Sequence, residues 1–321
     1  MESLVECVPN ISEGSDSATL QAVADVIGPH AGVWLLDRTA DPDHARSVFT
    51  MAGYPGRVME AMESVVETVI ERVDMRRQHG EHPRIGAIDV IPFVPLGDSS
   101  LDQCVEGARS FGARIAERFG LPVYLYARAA LRPERRVLAA IRRPGFEGLA
   151  EAMRTAEGAP DLGPDHPHPS AGAVAVGARP FLIAWNIQLS TTDVGVARQI
   201  AVRIRERDGG LPAVQALGIE LASQGCAQLS MNVLDHQRTP LWRVWEKAEQ
   251  LAAAEGVSIL DSELIGLIPS AALLEVADHI SVPVFHPPER RLTEAAGWLR
   301  IRRFDPGMAL EVRLGRARQA V

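Results

Sequence analysis

The chain has 321 residues, 46% of them apolar and 23% charged, with a net charge of −8. This is the composition of a folded protein with a sizeable core, long enough for one large domain or two ordinary ones. No Lys/Arg run or basic tail marks a nucleic-acid partner, and no apolar run approaches the ~20 residues that a membrane helix needs.

The elements alternate along the chain. "LVECVPN" reads as a strand and "DSATLQAVADVIG" as a helix with Asp16 or Ser17 as its N-cap. "VWLLD" and "ARSVFTMAG" read as two strands. "PGRVMEAMESVVETVIERVDM" reads as an amphipathic helix, with Val58, Met62, Val65, Val66, Val69 and Val73 in one stripe and four glutamates away from it. "IGAIDVIPFVPL" is the next strand, completing a β-α-β-β-α-β order, that of the ferredoxin-like unit. A helix from Leu101 to Phe119, the strand "VYLYA" and two short helical segments follow. "APDLGPDHPHPSAG" is too rich in Pro, Gly, Asp and His for regular structure, and a loop of this length is functional or disordered. The rhythm then resumes. "AVAVGARPFLIAWNIQL" reads as a strand, "TTDVGVARQIAVRIRER" as a helix, "AVQALGIELA" and "CAQLSMNVL" as strands, "PLWRVWEKAEQLAAAEG" as a helix and "VSILDSELIGLI" as a strand. The expected fold class is therefore α/β (α+β), two similar subdomains in tandem. The second half shows no sequence repeat of the first, only the same pattern.

Several chemistries lose their support. Lys247 is the only lysine and lies on an amphipathic helix, so a P-loop is excluded and a Schiff-base enzyme is not expected. Neither GxSxG, HExxH nor a GxGxxG after a strand is present. Cys7, Cys104 and Cys226 are odd in number and far apart, which implies neither a disulfide framework nor a cysteine zinc site. The N-terminus has no basic or long apolar stretch of the secretory kind, so the cytoplasm is the expected location.

Side chains alternate between the faces of a strand. In the second half, Ile183, Trp185, Ile187 and Leu189 share one face, and Asn186 and Gln188 the other. Leu229, Met231 and Val233 oppose Gln228, Ser230 and Asn232 in the same way. A ferredoxin-like sheet carries helices on one side only, so its amide-rich face is either solvated or the wall of a cleft.

His82, in "GEHPRIG", precedes a proline and is pushed out of the α region, so its direction is more fixed than that of an ordinary loop histidine. A ring titrating near ~6.5 suits acid–base work there, but from spacing alone a turn histidine bonded to the backbone is the better fit. The pairs His79/His82 and His166/His168 lack a carboxylate or cysteine at a matching offset, and no metal is expected. Asp89 alternates out of phase with Ile88, Val90 and Val94 and is expected on the face opposite the core, where it orients an imidazole, meets a cation or is solvated. Arg46 opens a strand and Arg179 follows Gly-Ala; arginine forks grip carboxylates, but most arginines lie on surfaces. Glu6 and Asn10 are expected on one face of the first strand, in a cleft or at an edge.

Taken together, "VECVPNISEG", "GEHPRIGAIDVIPFVPL", "PVYLY", "PDLGPDHPHPSAGAVAVGARPFLIAWNIQL" and "CAQLSMNVLD" resemble the glutamate formimidoyltransferase (formiminotransferase) family, in order from Val5 to about Pro269. The resemblance implies two ferredoxin-like subdomains, 1–180 and 181–321, with folate in a cleft between them. It implies transfer of a formimidoyl group from N-formimidoyl-L-glutamate to N5 of tetrahydrofolate in histidine degradation. Tetrahydrofolate is then the acceptor substrate, and a cytoplasmic homodimer without metal is expected. The family's catalytic histidine lands on His82, with Asp89 as its expected companion. Its folate-binding loop lands on Gly163, Pro164, Asp165, His166, Pro167, His168, Pro169, Ser170, Ala171 and Gly172. Asn10, Arg46, Arg84, Arg179, Asn186 and Asn232 are the expected substrate contacts. The chain resembles a stand-alone version without the cyclodeaminase domain that some members carry. Two alternatives stay open: an ATP-using ligase acting on 5-formyltetrahydrofolate, and a folate- or anion-binding module without catalysis.

Overall fold

The computed structural model describes residues 2–42, 45–78, 83–221 and 225–319, and the chain divides into two units, Met1–Pro180 and Phe181–Val321. The first unit is a seven-stranded sheet. Strands β1 (Ser3–Cys7) and β2 (Asn10–Ile11) both pair antiparallel with β4 (Arg46–Gly53) on one side and β5 (Ile88–Gly97) on the other. Strand β3 (Val33–Asp41) pairs with β4. Helix α1 (Ser17–Ile27) starts at Asp16, whose carboxylate accepts from Ala18 N–H and the Thr19 hydroxyl. Helix α2 (Pro55–Arg72) opens on its proline and buries Val58, Met62, Val65, Val66 and Val69. It ends one residue before the last member of the stripe, and Val73 serves as its C-cap. Helix α3 (Leu101–Phe119) has the bounds expected from sequence, because Ser100 and Gln103 form a capping box and Gly120 takes the left-handed conformation that stops it.

Two further strands, β6 (Val123–Ala127) and β7 (Val174–Ala178), run parallel to β5 in the order β5-β7-β6. The segment expected as one strand, "AVAVGARPFLIAWNIQL", is thus two, in different sheets. Pro180 has no N–H to give a ladder and stands at the break.

The expectation of helices on one side only also fails in this unit. The main core lies under α1, α2 and α3 and includes Phe93 edge-on to Phe111, centroids 5.4 Å apart. A second cluster holds Ile85, Val90, Tyr124 and Tyr126 together with Ile141 of α4 (Leu138–Arg142) and Leu149 of α5 (Gly145–Ala152). Both faces of the β5-β7-β6 region are therefore covered.

The second unit has the order β8 (Ile183–Leu189), α6 (Val194–Ile204), β9 (Val214–Leu221), β10 (Cys226–Val233), α7 (Leu241–Ala254), β11 (Ile259–Ile265). Its strands are all antiparallel, in the sheet order β11-β8-β10-β9. Ile183, Trp185, Ile187 and Leu189 enter the core, where Trp185 stacks on Trp245 at 5.9 Å. The last fifty or so residues form α8 (Ser270–His279), α9 (Pro288–Trp298) and α10 (Leu310–Gln319). Val276, Leu292 and Leu299 join the same core, and the main chain of Ser262 on β11 exchanges hydrogen bonds with Arg300 and Arg302.

Candidate functional site

His82 lies outside the described residues. Gln78 is held twice: its side chain donates to Glu13 Oε2 at 2.7 Å, and its carbonyl accepts from Arg84 Nη2 at 2.9 Å. Glu13 in turn accepts from the N–H groups of Ser15 and Asp16. Burial pushes the Glu13 carboxyl up, but these donors and Gln78 outweigh it and hold it below the usual range. After Pro83, Arg84 also donates to Glu147 at 3.1 Å, and Ile85 N–H donates to Asp89 Oδ1 at 3.0 Å.

Asp89 is buried, 3% exposed, so it is not a solvated strand residue. The register between β2 and β5 shifts here. Ile88, Ile91 and Phe93 belong to the main core while Val90 belongs to the second cluster. The carboxylate takes the fork of Arg142 at the end of α4: Nε donates to Oδ2 at 2.7 Å, and Nη2 makes a shorter contact to the same oxygen. Two buried charges so paired satisfy each other. Burial first, and Arg142 next, push the Arg46 guanidinium down to about 10, with Asp89 opposing. It therefore remains a cation at neutral pH.

Four of the expected residues meet in one place. Asn10, Arg46, Arg84 and Asp89 line a narrow hollow of about 10 Å³ together with Ile11, Ser12 and Ala45. Three neighbouring strands make it: Asn10 on β2 pairs with Val48 on β4 and Val90 on β5. The Ser12 hydroxyl donates to Gly86 O at 2.7 Å and its N–H to Ala87 O at 2.8 Å, fixing the 85–87 segment from below.

The loop Gly163–Gly172 reaches the same segment from the other side. His168 and Gly172 exchange two main-chain bonds of 2.8 and 3.0 Å; Ala87 N–H donates to Ala171 O and Ala173 N–H to Ile85 O. Such contact needs two glycines. A Cβ on Gly86 would lie 2.0 Å from Ala173 O, and one on Gly172, where φ is +70°, 2.3 Å from Ile85 O. His168 Nδ1 accepts from Ala171 N–H at 3.1 Å, and burial lowers its pKa. Asp165 and His166 are exposed and contact each other at 3.1 Å. Upstream, the buried pair Arg135–Asp161, 2.6 Å apart, anchors the strand end, with Asp161 accepting from Leu125 N–H.

Arg179 is not part of the hollow's lining; it donates to Pro180 O, and its charge neighbours Tyr126 and Cys7. Asn186 and Asn232 lie half-buried on the second unit's sheet, each across from a residue of the neighbouring strand. Ser12, Glu13, Gln78 and Arg142 escaped the sequence reading. Ser12 and Glu13 stand within the quoted "NISEG", whereas nothing local marks Arg142, 53 residues from its partner. Among the described residues no group of three His, Cys, Asp or Glu could hold a metal, and no helix is long and apolar enough to cross a membrane.

A family profile described as "Formiminotransferase domain, N-terminal subdomain" matches residues 4–179, and one described as "Formiminotransferase domain" matches residues 184–283. The chain is 41% identical to a glutamate formimidoyltransferase of Thermoplasma acidophilum, covering 98% of each protein. It is 41% identical to one of Streptococcus pyogenes, covering 87% of this chain and 93% of that one. It is 43% identical to the formimidoyltransferase-cyclodeaminase of Rattus norvegicus, spanning 52% of that protein.

Proposed function

The chain belongs to the formiminotransferase family, and from that premise we propose how its first unit serves the family's reaction. The protein is a glutamate formimidoyltransferase: it moves the formimidoyl group of N-formimidoyl-L-glutamate to N5 of tetrahydrofolate, giving 5-formimidoyltetrahydrofolate and L-glutamate. Tetrahydrofolate is a substrate.

N5 attacks the formimidoyl carbon, and a tetrahedral adduct forms. The bond from that carbon to the glutamate nitrogen then breaks. N5 must lose a proton and the departing nitrogen must gain one, and a single histidine performs both transfers in turn. We assign this to His82 on the strength of the motif. The reacting amidine is cationic when protonated, so a hole for an oxyanion is not the central device. Asp89, already holding Ile85 N–H and Arg142, is read as a positioning residue rather than as a partner of the reacting carbon. The loop 163–172 is assigned to folate; its prolines lower the cost of ordering it. The β-α-β-β-α-β order and the β11-β8-β10-β9 sheet of the second unit support reading both units as ferredoxin-like, the first extended by β6 and β7.

The observation that carries the reading is the match over 98% of both chains to a glutamate formimidoyltransferase. The test is an assay of formimidoylglutamate with tetrahydrofolate, with and without ATP. Release of glutamate and 5-formimidoyltetrahydrofolate without ATP is expected. Turnover of 5-formyltetrahydrofolate that requires ATP, with none of formimidoylglutamate, would sink it.

A further inference from the structure

The hollow of the first unit has a lopsided lining. Asn10 is 7% exposed and its Oδ1 accepts no hydrogen bond among the described residues, while its Nδ2 donates to Val8 O at 3.0 Å. That donation fixes the amide's orientation, since a flipped amide would set oxygen against oxygen. Arg84 is 9% exposed, and its Nε–H reaches no acceptor among the described residues although Nη2 has two. The residues that carry this buried acceptor and this buried charged donor line a single hollow, and a buried group left unmet costs more than the bond it lacks. A ligand that meets both offers an N–H and an anionic oxygen a few bonds apart. A simple dicarboxylate or a phosphate offers the oxygen but sets a lone pair against Asn10. Arg46 lines the same hollow and stays charged beside Arg142, with Asp89 as the carboxylate near both, so the oxygen-bearing group is an anion.

We propose that this hollow recognises an α-carboxylate together with the neighbouring substituted nitrogen. The carboxylate lies against Arg84 Nε and Arg46, and the N–H donates to Asn10 Oδ1. The proposal rests on the transferase reading, in which two molecules carry this group: formimidoylglutamate, at its amidine nitrogen, and the folate tail, at its terminal glutamate.

Calorimetry on the full chain tests it with three probes: N-acetyl-L-glutamate, p-aminobenzoyl-L-glutamate and glutarate, which has carboxylates but no N–H. At least one N-acyl probe is expected to bind wild type about 10-fold or more tightly than glutarate. Asn10→Ala should abolish that ratio while leaving glutarate unchanged. If only N-acetylglutamate weakens in the variant, the hollow holds the donor substrate; if only p-aminobenzoylglutamate weakens, it holds the folate tail. Equal binding of glutarate and both N-acyl probes to wild type overturns the proposal, as does failure of both N-acyl probes to bind, and neither result depends on the variant folding. Discrimination between probes without any formimidoyl turnover would instead overturn the transferase reading and leave the site standing.

Discussion

The two units share a β-α-β-β-α-β order and differ in what covers the second face of the sheet. In the first, β6 and β7 widen the sheet, and α4 and α5 lie on its far face, so that Asp89, Arg84 and Asn10 are all less than a tenth exposed. In the second, the face opposite the helices carries Asn186, Ser230 and Asn232, half-buried, beside Leu217, 62% exposed. There Gln188 and Gln228, both buried, meet across adjacent strands at 3.0 Å. Charges act strongly only where water is kept away. The extra layer thus keeps Asp89, Arg84 and Asn10 in surroundings where charge is felt strongly.

The largest effect expected from this asymmetry is on turnover. His82→Ala should lower kcat by roughly 10²–10⁴, the usual worth of acid–base catalysis, with folate affinity within a few-fold of wild type. Asn232→Ala, in the second unit, should change kcat far less. Parallel measurement of kcat and folate Kd decides it: near wild-type turnover of the His82 variant removes that residue from the mechanism, and equal losses in both variants break the asymmetry.

Next comes stability. Asp89→Ala leaves Arg142 without its counter-charge, in a pair whose side chains are only 15% and 4% exposed. Breaking a buried pair from one side costs about 3–5 kcal/mol. Urea denaturation of the full chain should show the first unit's transition moved to lower urea. Trimming the second unit's open face, as in Leu217→Ser, should stay within about 0.5 kcal/mol. A mild Asp89 variant would mean that water reaches the hollow more freely than its burial implies.

What could be read ahead of the structure follows the range of the interactions. Helix α3 was legible to the residue because Ser100, Gln103 and Gly120 settle its ends locally. The two-unit pattern was legible from periodicity. The break at Pro180 between β7 and β8 was missed because apolar residues flank it on both sides and only the sheet partners tell the strands apart. Asn10, Arg46, Arg84 and Asp89 could each be singled out, but their meeting needs β2 between β4 and β5. Asp89's environment needed Arg142, from a short helix with no periodic signal, and a register shift that no strict alternation predicts. The motif resemblance named the reaction and could not say that Asp89 is tied up by main chain and arginine.

The close approach of two backbones distinguishes strain from clash. Gly172 and Gly256 have nearly the same positive φ, +70° and +71°, but a Cβ on Gly172 would meet Ile85 O at 2.3 Å, whereas one on Gly256 meets nothing within 4 Å. Gly256→Ala in the second unit should therefore cost only the conformational penalty, roughly 1–2 kcal/mol. Gly172→Ala should cost more and also raise the folate KM, because the loop would lose its seat on residues 85–87. Equal stabilities for the two variants would show that the loop moves aside freely.

The smallest expected effect is on the acid limb. The folded-state pKa of Glu13 is held below its ordinary 4.5, so its contribution is fully present above that pH and is lost as pH falls through the folded value. It concerns the first unit alone, since Glu13 binds Ser15, Asp16 and Gln78. Asp208 in the second unit is likewise held low, by Arg205, but its pair is exposed to water and salt, which weaken such contacts. Glu13→Gln should therefore flatten the fall in stability of the first unit below pH 4.5, and Asp208→Asn should leave the second unit's profile nearly unchanged. The measurement is the thermal midpoint of each variant from neutral pH downward, at low and high salt. A Glu13 variant whose acid limb matches wild type would mean that Gln78 is held by Arg84 alone. The clasp before residue 79 would then depend on one carbonyl, and Arg84→Lys should loosen it without help from the Glu13 side.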